Sequence, residues 1–186
     1  MIKKIGSQKI GTERLVLRLF RTGDAPDMFR YWTNDPKVTK YLSWHAHAKL
    51  EDTEGFLAYC LKAYEDPACF RWAITVNSNG DHPIGIIDVV DMDEKIPSCE
   101  IGYCMSREFW GQGIMTEALK AVIDYLKNVG FLRIAARHNV ANPASGKVMS
   151  KAGMNFEGVL RKADTDNNGE PIDIAWYSYI NEDIKE

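Results

Sequence analysis

Residues 98–118 constrain the fold more than any other stretch. Ser98 to Met105 (SCEIGYCM) reads as a strand, and Arg107 to Gly113 (REFWGQG) is too glycine-rich for regular structure. A strong amphipathic helix follows, with Met115, Leu119, Val122, Ile123 and Leu126 on its apolar stripe. Gly130 ends that helix, and Leu132 to Arg137 is a short strand beyond it. Strand, helix and strand in succession ask for a parallel crossover, so part of the sheet has to be parallel.

The other elements gather around that unit. Thr12 to Phe20 alternates Leu15, Leu17 and Leu19 with Arg14, Val16 and Arg18, which predicts a half-buried strand. Asp24 caps a helix carrying Ala25, Met28, Phe29 and Trp32, stopped by Asn34-Asp35-Pro36. Lys49 to Glu65 is a second helix, with Phe56, Leu57, Cys60, Leu61 and Tyr64 on one stripe and acidic residues in its first turn. Phe70 to Val76 and Pro83 to Val90 join the Ser98 strand in a meander, with a turn at Ser78 to Asp81. Asn142 to Ala152 is a short helix stopped at Gly153. Glu157 to Lys162 and Ile172 to Tyr179 are strands joined by a polar hairpin loop. The order β-α-α-β-β-β-α-β-α-β-β predicts a mixed α/β (α+β) domain over residues 1–186.

Several function classes fall away. The net charge of −3 lacks the basic excess of a non-specific nucleic-acid binder and suits a cationic amine. No apolar run reaches signal-peptide or membrane-span length, so a cytoplasmic chain with no membrane partner is expected. None of the four cysteines forms a CxxC pair, and Cys99 and Cys104 belong on opposite faces of one strand, as reduced thiols. Asp164 to Gly169 (DTDNNG) fits the first half of a calcium loop. Ala175 stands where the bidentate Glu belongs, so a hairpin loop explains the run better and no metal is expected.

Gly111 and Gly113 let backbone N–H groups approach an anion, and the helix dipole behind them adds positive potential. The pattern suits a pyrophosphate cradle or a tight strand–helix turn. Thr116 stands where GxGxxG needs its third glycine, and no Gly-Lys-Ser/Thr follows, so the dinucleotide fingerprint and the P-loop both fail.

Here the chain resembles the GNAT N-acetyltransferases, in the branch of the Rim-type ribosomal-protein N-terminal acetyltransferases. Trp110-Gly111-Gln112-Gly113 with Thr116-Glu117-Ala118 is similar to the family's acyl-CoA loop. Thr12 to Arg18, Tyr31-Trp32 with Asp35-Pro36, Asn142-Pro143-Ala144-Ser145 with Lys151-Ala152-Gly153, and Gly158 to Arg161 match in order. The resemblance implies a mixed sheet of about six to seven strands, splayed in the middle and flanked by about four helices. It implies acetyl-CoA as cosubstrate, wedged between the fourth and fifth strands. Tyr103, Cys104 and Met105 would flank the pantetheine arm. The amides from Glu108 to Gly113, with Trp110, Gln112, Met115 and Thr116, would hold the pyrophosphate, and Asn142 and Ser145 would lie beside the thioester. The acceptor would be a primary amine, either a protein N-terminus or a small amine such as a polyamine, an antibiotic or an amino acid. A non-catalytic acyl-CoA-binding module and a monomer or homodimer remain open.

Removing the ammonium's proton needs a base, and Glu100, on the strand flanking the cofactor beside Ile101 and Tyr103, is the candidate. Met149 stands where many family members carry an acidic tyrosine, which leaves Ser145 as donor or as a helix cap. Trp44, with His45 and His47, would line the acceptor pocket, although a solvated loop suits the histidines equally. His138, between the fifth strand and the Asn142 helix, suits a pocket edge or, more readily, the surface.

Overall fold

The computed structural model describes residues 2–183. Its strands are β1 (Ile10–Gly11), β2 (Leu15–Arg18), β3 (Arg71–Val76), β4 (Gly85–Asp93), β5 (Ser98–Met105), β6 (Arg133–Asn139), β7 (Asn155–Thr165) and β8 (Pro171–Ile180). The α-helices are α1 (Ala25–Met28), α2 (Pro36–Thr39), α3 (Leu50–Ala63), α4 (Ile114–Val129) and α5 (Pro143–Lys151). The strands form one sheet in the order β1-β2-β3-β4-β5-β6-β8-β7. Among the described residues, only β5 and β6 are parallel, with α4 as the crossover between them.

Helix α4 forms as its periodicity requires. Ile114, Met115, Ala118, Leu119, Val122, Ile123, Leu126 and Val129 are all buried, and Gly130 ends the helix at φ +108°. Each large side chain on that face contributes about 1.5–3 kcal/mol by leaving water, so Leu119→Ala would cost about 2–5 kcal/mol. The sheet carries two cores. One packs β5 residues Cys99, Ile101 and Met105 against α4 and α5, and the other packs Trp32, Leu57, Cys60 and Ile86 beneath α1 and α3. Cys104 joins the second, so Cys99 and Cys104 do lie on opposite faces. All four cysteines are free thiols.

The structure departs from the sequence pattern in the N-terminal third. The strand expected over 12–20 begins only at Leu15, because the Thr12 hydroxyl accepts the Leu15 amide at 3.0 Å and turns the chain into a small hairpin with β1. Leu15 and Leu17 are fully buried, but the alternation fails beyond them: Arg18 is inside and Leu19 outside. Arg18 is buried because Asp24 and Asp81 each pair with its guanidinium at 2.8 Å, replacing its hydration. Asp24 therefore makes no side-chain cap on α1. The first helix changes to a π-helical turn over Phe29–Thr33. Pro36 opens the unexpected α2, capped by the Asp35 carboxylate at 2.8 Å from the Lys37 amide.

The feature that positions the site is a gap in the sheet. Parallel pairing of β5 with β6 runs from Ser98–Arg133 to Ile101–Ala136 and stops there. On the outer sides, β5 stays paired to β4 as far as Met105, and β6 to β8 as far as Asn139. Residues 102–105 and 137–139 thus diverge as two inner edges of a wedge.

Candidate active site

The glycine loop lies at the open end of the wedge. Gly111 and Gly113 both have left-handed backbone, φ +74° and +76°, which a side chain would strain. Among the described residues, no protein acceptor pairs with the backbone N–H of any residue from Gly111 to Thr116. These six amides, at the start of a 16-residue helix, are left free to make a cradle for an anion. It begins later than the expected stretch from Glu108. The Glu108 amide donates to the Ser106 hydroxyl, the Phe109 amide to the Ser106 carbonyl and the Trp110 amide to the Arg107 carbonyl.

Side chains brace the loop from outside. Trp110 is exposed, and its indole N–H donates to the Met105 carbonyl at 3.0 Å, tying the loop to the end of β5. The Gln112 side-chain Nε2 donates to the Glu108 carbonyl at 2.7 Å. Arg14 donates to the Gln112 carbonyl at 2.9 Å and to Glu117 at 2.6 Å, and Glu117 also accepts from Thr12 at 2.6 Å. Burial opposes the Glu117 charge, but Thr12 and Arg14 outweigh it and hold its pKa below the ordinary value. The Met115 side chain is in the core, so only its amide faces the cradle.

Tyr103 reaches from the free part of β5 to the first turn of α5. Its hydroxyl lies 2.9 Å from Ser145 Oγ and 3.2 Å from the Ser145 carbonyl. Burial raises the phenol's pKa, against the Ser145 hydrogen bond. Ser145 Oγ therefore bridges two elements across the wedge, while Asn142 at the N-cap makes no side-chain cap bond. Met149 is buried in the core and offers no exchangeable proton. His138 lies within β6, half-buried against α5, rather than at the surface.

The opposite face of the sheet carries the residues expected on the acceptor side. Glu100 does not stand among apolar groups alone: its carboxylate pairs with Arg137 Nε at 2.7 Å. Arg137 also binds Asp164 at 2.7 Å and lies over the Trp176 ring, 5.7 Å from its centroid. Trp44 is half-buried, 6.5 Å from Trp32 and 5.4 Å from His47 between ring centroids. His47 is held by Thr53 at 2.8 Å, and burial lowers its pKa, with the Asp52 charge opposing. His45 is exposed. The β7–β8 loop closes on this region, since Asn167 donates to the carbonyls of Thr39 and Trp44. Asp164 and Asp166 are engaged by Arg137 and by the loop's own amides, as a hairpin explains.

The sequence reading missed the roles of Arg14 and Arg137 and named Asp164 only as part of a polar loop; their partners lie 103, 37 and 27 residues away. Nothing local signals such pairs.

The comparisons agree with this geometry. The acetyltransferase (GNAT) domain profile matches residues 14–155. The uncharacterized N-acetyltransferase YoaA of Bacillus subtilis is 31% identical over 170 residues, 91% of this chain and 94% of that protein. The ribosomal-protein-serine acetyltransferase of Escherichia coli is 34% identical over 101 residues, 54% of this chain and 56% of that protein. The structure of the ribosomal-protein-S5-alanine acetyltransferase from Vibrio fischeri superposes with a TM-score of 0.82 at 24% identity, covering 97% of this chain and 100% of that one. With the profile spanning most of its length and the sheet split beside a free-amide loop, the chain belongs to the GNAT acetyltransferase family.

Proposed function

We propose that this acetyl-CoA-dependent N-acetyltransferase acts on the α-amine of a protein N-terminus, with Glu100 taking the amine's proton and Ser145 placed at the departing thiol. The observation that carries the reading is the wedge. Its apex, where Ile101 and Ala136 end the pairing, lies one residue from Glu100 on one edge and beside Arg137 on the other. Bound acetyl-CoA supplies an activated acetyl thioester. The chain's amides from Gly111 to Thr116 fit its pyrophosphate, and the free edge of β5 at residues 102–105 fits an extended amide-bearing arm.

On the acceptor side, Glu100 and Asp164 attract an ammonium. Arg137 has a second seat between Asp164 and the Trp176 ring, so it can release Glu100 as the amine arrives. The Ser145 hydroxyl, held by Tyr103, would stand beside the thioester. Similarity to the ribosomal-protein-serine acetyltransferase supports a protein acceptor.

Two panels test this: peptides with free N-termini, and small amines including polyamines, aminoglycosides and amino acids. Acetylation confined to peptide α-amines is expected, and turnover of small amines alone would overturn the acceptor assignment. Glu100→Gln should lose about 10²-fold or more in kcat while still binding acetyl-CoA. Near-normal turnover would remove Glu100 from the base role.

A further inference from the structure

We propose that His138 delivers the proton taken up by the departing CoA thiolate, from a seat that Gly146 opens in α5. The inference rests on the acetyl-transfer reading and gives a role to a residue that the sequence left between a pocket edge and the surface.

His138 belongs to the segment 137–139 that pairs with β8, opposite Ala175, but has no partner on β5. Its backbone therefore belongs to the free inner edge of the wedge. Its Nδ1 lies 2.8 Å from the Asn139 carbonyl oxygen. A carbonyl only accepts, so Nδ1 carries the hydrogen and Nε2 is left as the exchanging atom. Nε2 points at α5. It lies 2.6 Å from where a Cβ on residue 146 would stand, and the Tyr177 hydroxyl lies 3.2 Å from the same point. Any side chain there would collide with the imidazole, so glycine at this helical position keeps a place for it.

The seat adjoins the right chemistry. Gly146 follows Ser145, and Ser145 is held by Tyr103 across the wedge. Met149 has no proton to give. The titratable groups facing the imidazole are Tyr177 on β8, with ring centroids 5.8 Å apart, and, through Ser145, Tyr103 on β5. Burial makes the Tyr103 phenol a poor donor. Imidazole is the side chain suited to exchange a proton near neutral pH.

The step balances. The ammonium first gives a proton to Glu100, which passes it to solvent; the free amine nitrogen then bonds to the acetyl carbon and gives a second proton to the same base. The carbon–sulfur bond breaks, and its electron pair goes to sulfur. Sulfur takes the proton from Nε2 of the imidazolium. Neutral His138 keeps its Nδ1 hydrogen on Asn139, and a solvent proton recharges it.

Two experiments test the assignment. In the wild-type protein with ¹⁵N-labelled histidine, CoA should shift the His138 Nε2 resonance, whereas desulfo-CoA, which lacks the sulfur, should not. That result places the imidazole at the sulfur whether or not any tested amine is acetylated, so it stands apart from the acceptor assignment. Identical responses to the two ligands would overturn the proposal. In kinetics, His138→Asn keeps a donor for Asn139 but removes Nε2, and should lower kcat about 10²-fold with unchanged acetyl-CoA affinity. Added imidazole should restore part of the rate in His138→Ala, and Gly146→Ala should lower kcat by displacing the ring. Full activity in His138→Asn would equally overturn the proposal.

Discussion

A single methyl group should act with opposite sign at two glycines, and the difference follows from what each methyl meets. Gly85 on β4 pairs with Met105, the last residue of β5, at the wall of the wedge. A Cβ there would lie 2.5 Å from the Cys104 carbonyl oxygen, 2.5 Å from Met105 Cβ and 2.8 Å from Met105 Cα. These atoms are fixed to the backbone and cannot swing aside, so β4 and β5 must separate. Overpacking costs about 1–3 kcal/mol, and backbone obstruction puts Gly85→Ala near the upper end. At roughly 2–4 °C per kcal/mol for a chain of this size, the melting temperature should fall by about 6–12 °C. Gly55 is exposed in the interior of α3, and a Cβ there meets nothing within 4 Å. Gly55→Ala should therefore stabilise by about 0.5–1 kcal/mol through lower backbone entropy in the unfolded chain. Calorimetric melting and urea unfolding of both variants measure the pair. A Gly85→Ala protein within about 0.5 kcal/mol of wild type would refute the packing argument.

Further expectations concern the loop and the far edge of the sheet. Arg14→Ala removes the braces on Gln112 and Glu117 and should raise the KM for acetyl-CoA roughly fivefold, about 1 kcal/mol for a partly exposed pair, with kcat unchanged. Steady-state kinetics decides, and an unchanged KM would count against the brace. Glu157, bound by Arg133 and Ser178, has its pKa lowered to about 2 from the ordinary 4.5. Its stabilisation is complete above pH 4.5 and is lost as pH falls toward about 2. The carboxylate is 36% exposed, so screening reduces the contribution to about 1 kcal/mol or less. Glu157→Gln should be weaker by that amount at pH 7 and equal to wild type near pH 2, as acid-titrated unfolding would show.

The pattern along the chain revealed what local physics controls. The α4 stripe, the α3 stripe and the opposed Cys99 and Cys104 followed from periodicity, and the Gly-x-Gly loop followed from residue type. The failures come largely from polar pairing, some of it local and some between distant residues. Asp24 and Asp81 draw Arg18 inward and break the alternation of β2. The Thr12 hydroxyl turns what reads as one strand into a hairpin. At the site, a strand glutamate looks like a free base until Arg137, 37 residues on, is seen paired to it. His138 follows an apolar strand in an exposed-looking context, and only the missing Cβ of Gly146 reveals its seat. The extent of the free amides was also hidden, because Ser106 and Arg107 take up those of Glu108 to Trp110 through a local turn.

The central claim is that the unpaired amides from Gly111 to Thr116 hold the pyrophosphate of acetyl-CoA beside the split of β5 from β6. Calorimetric titration of the wild-type protein with acetyl-CoA and with S-acetylpantetheine, which lacks the pyrophosphate and nucleotide, tests it directly. Acetyl-CoA should bind at least about tenfold more tightly, a difference of about 1.4 kcal/mol or more. Equal affinities, or no binding of acetyl-CoA by the folded protein, would contradict the account.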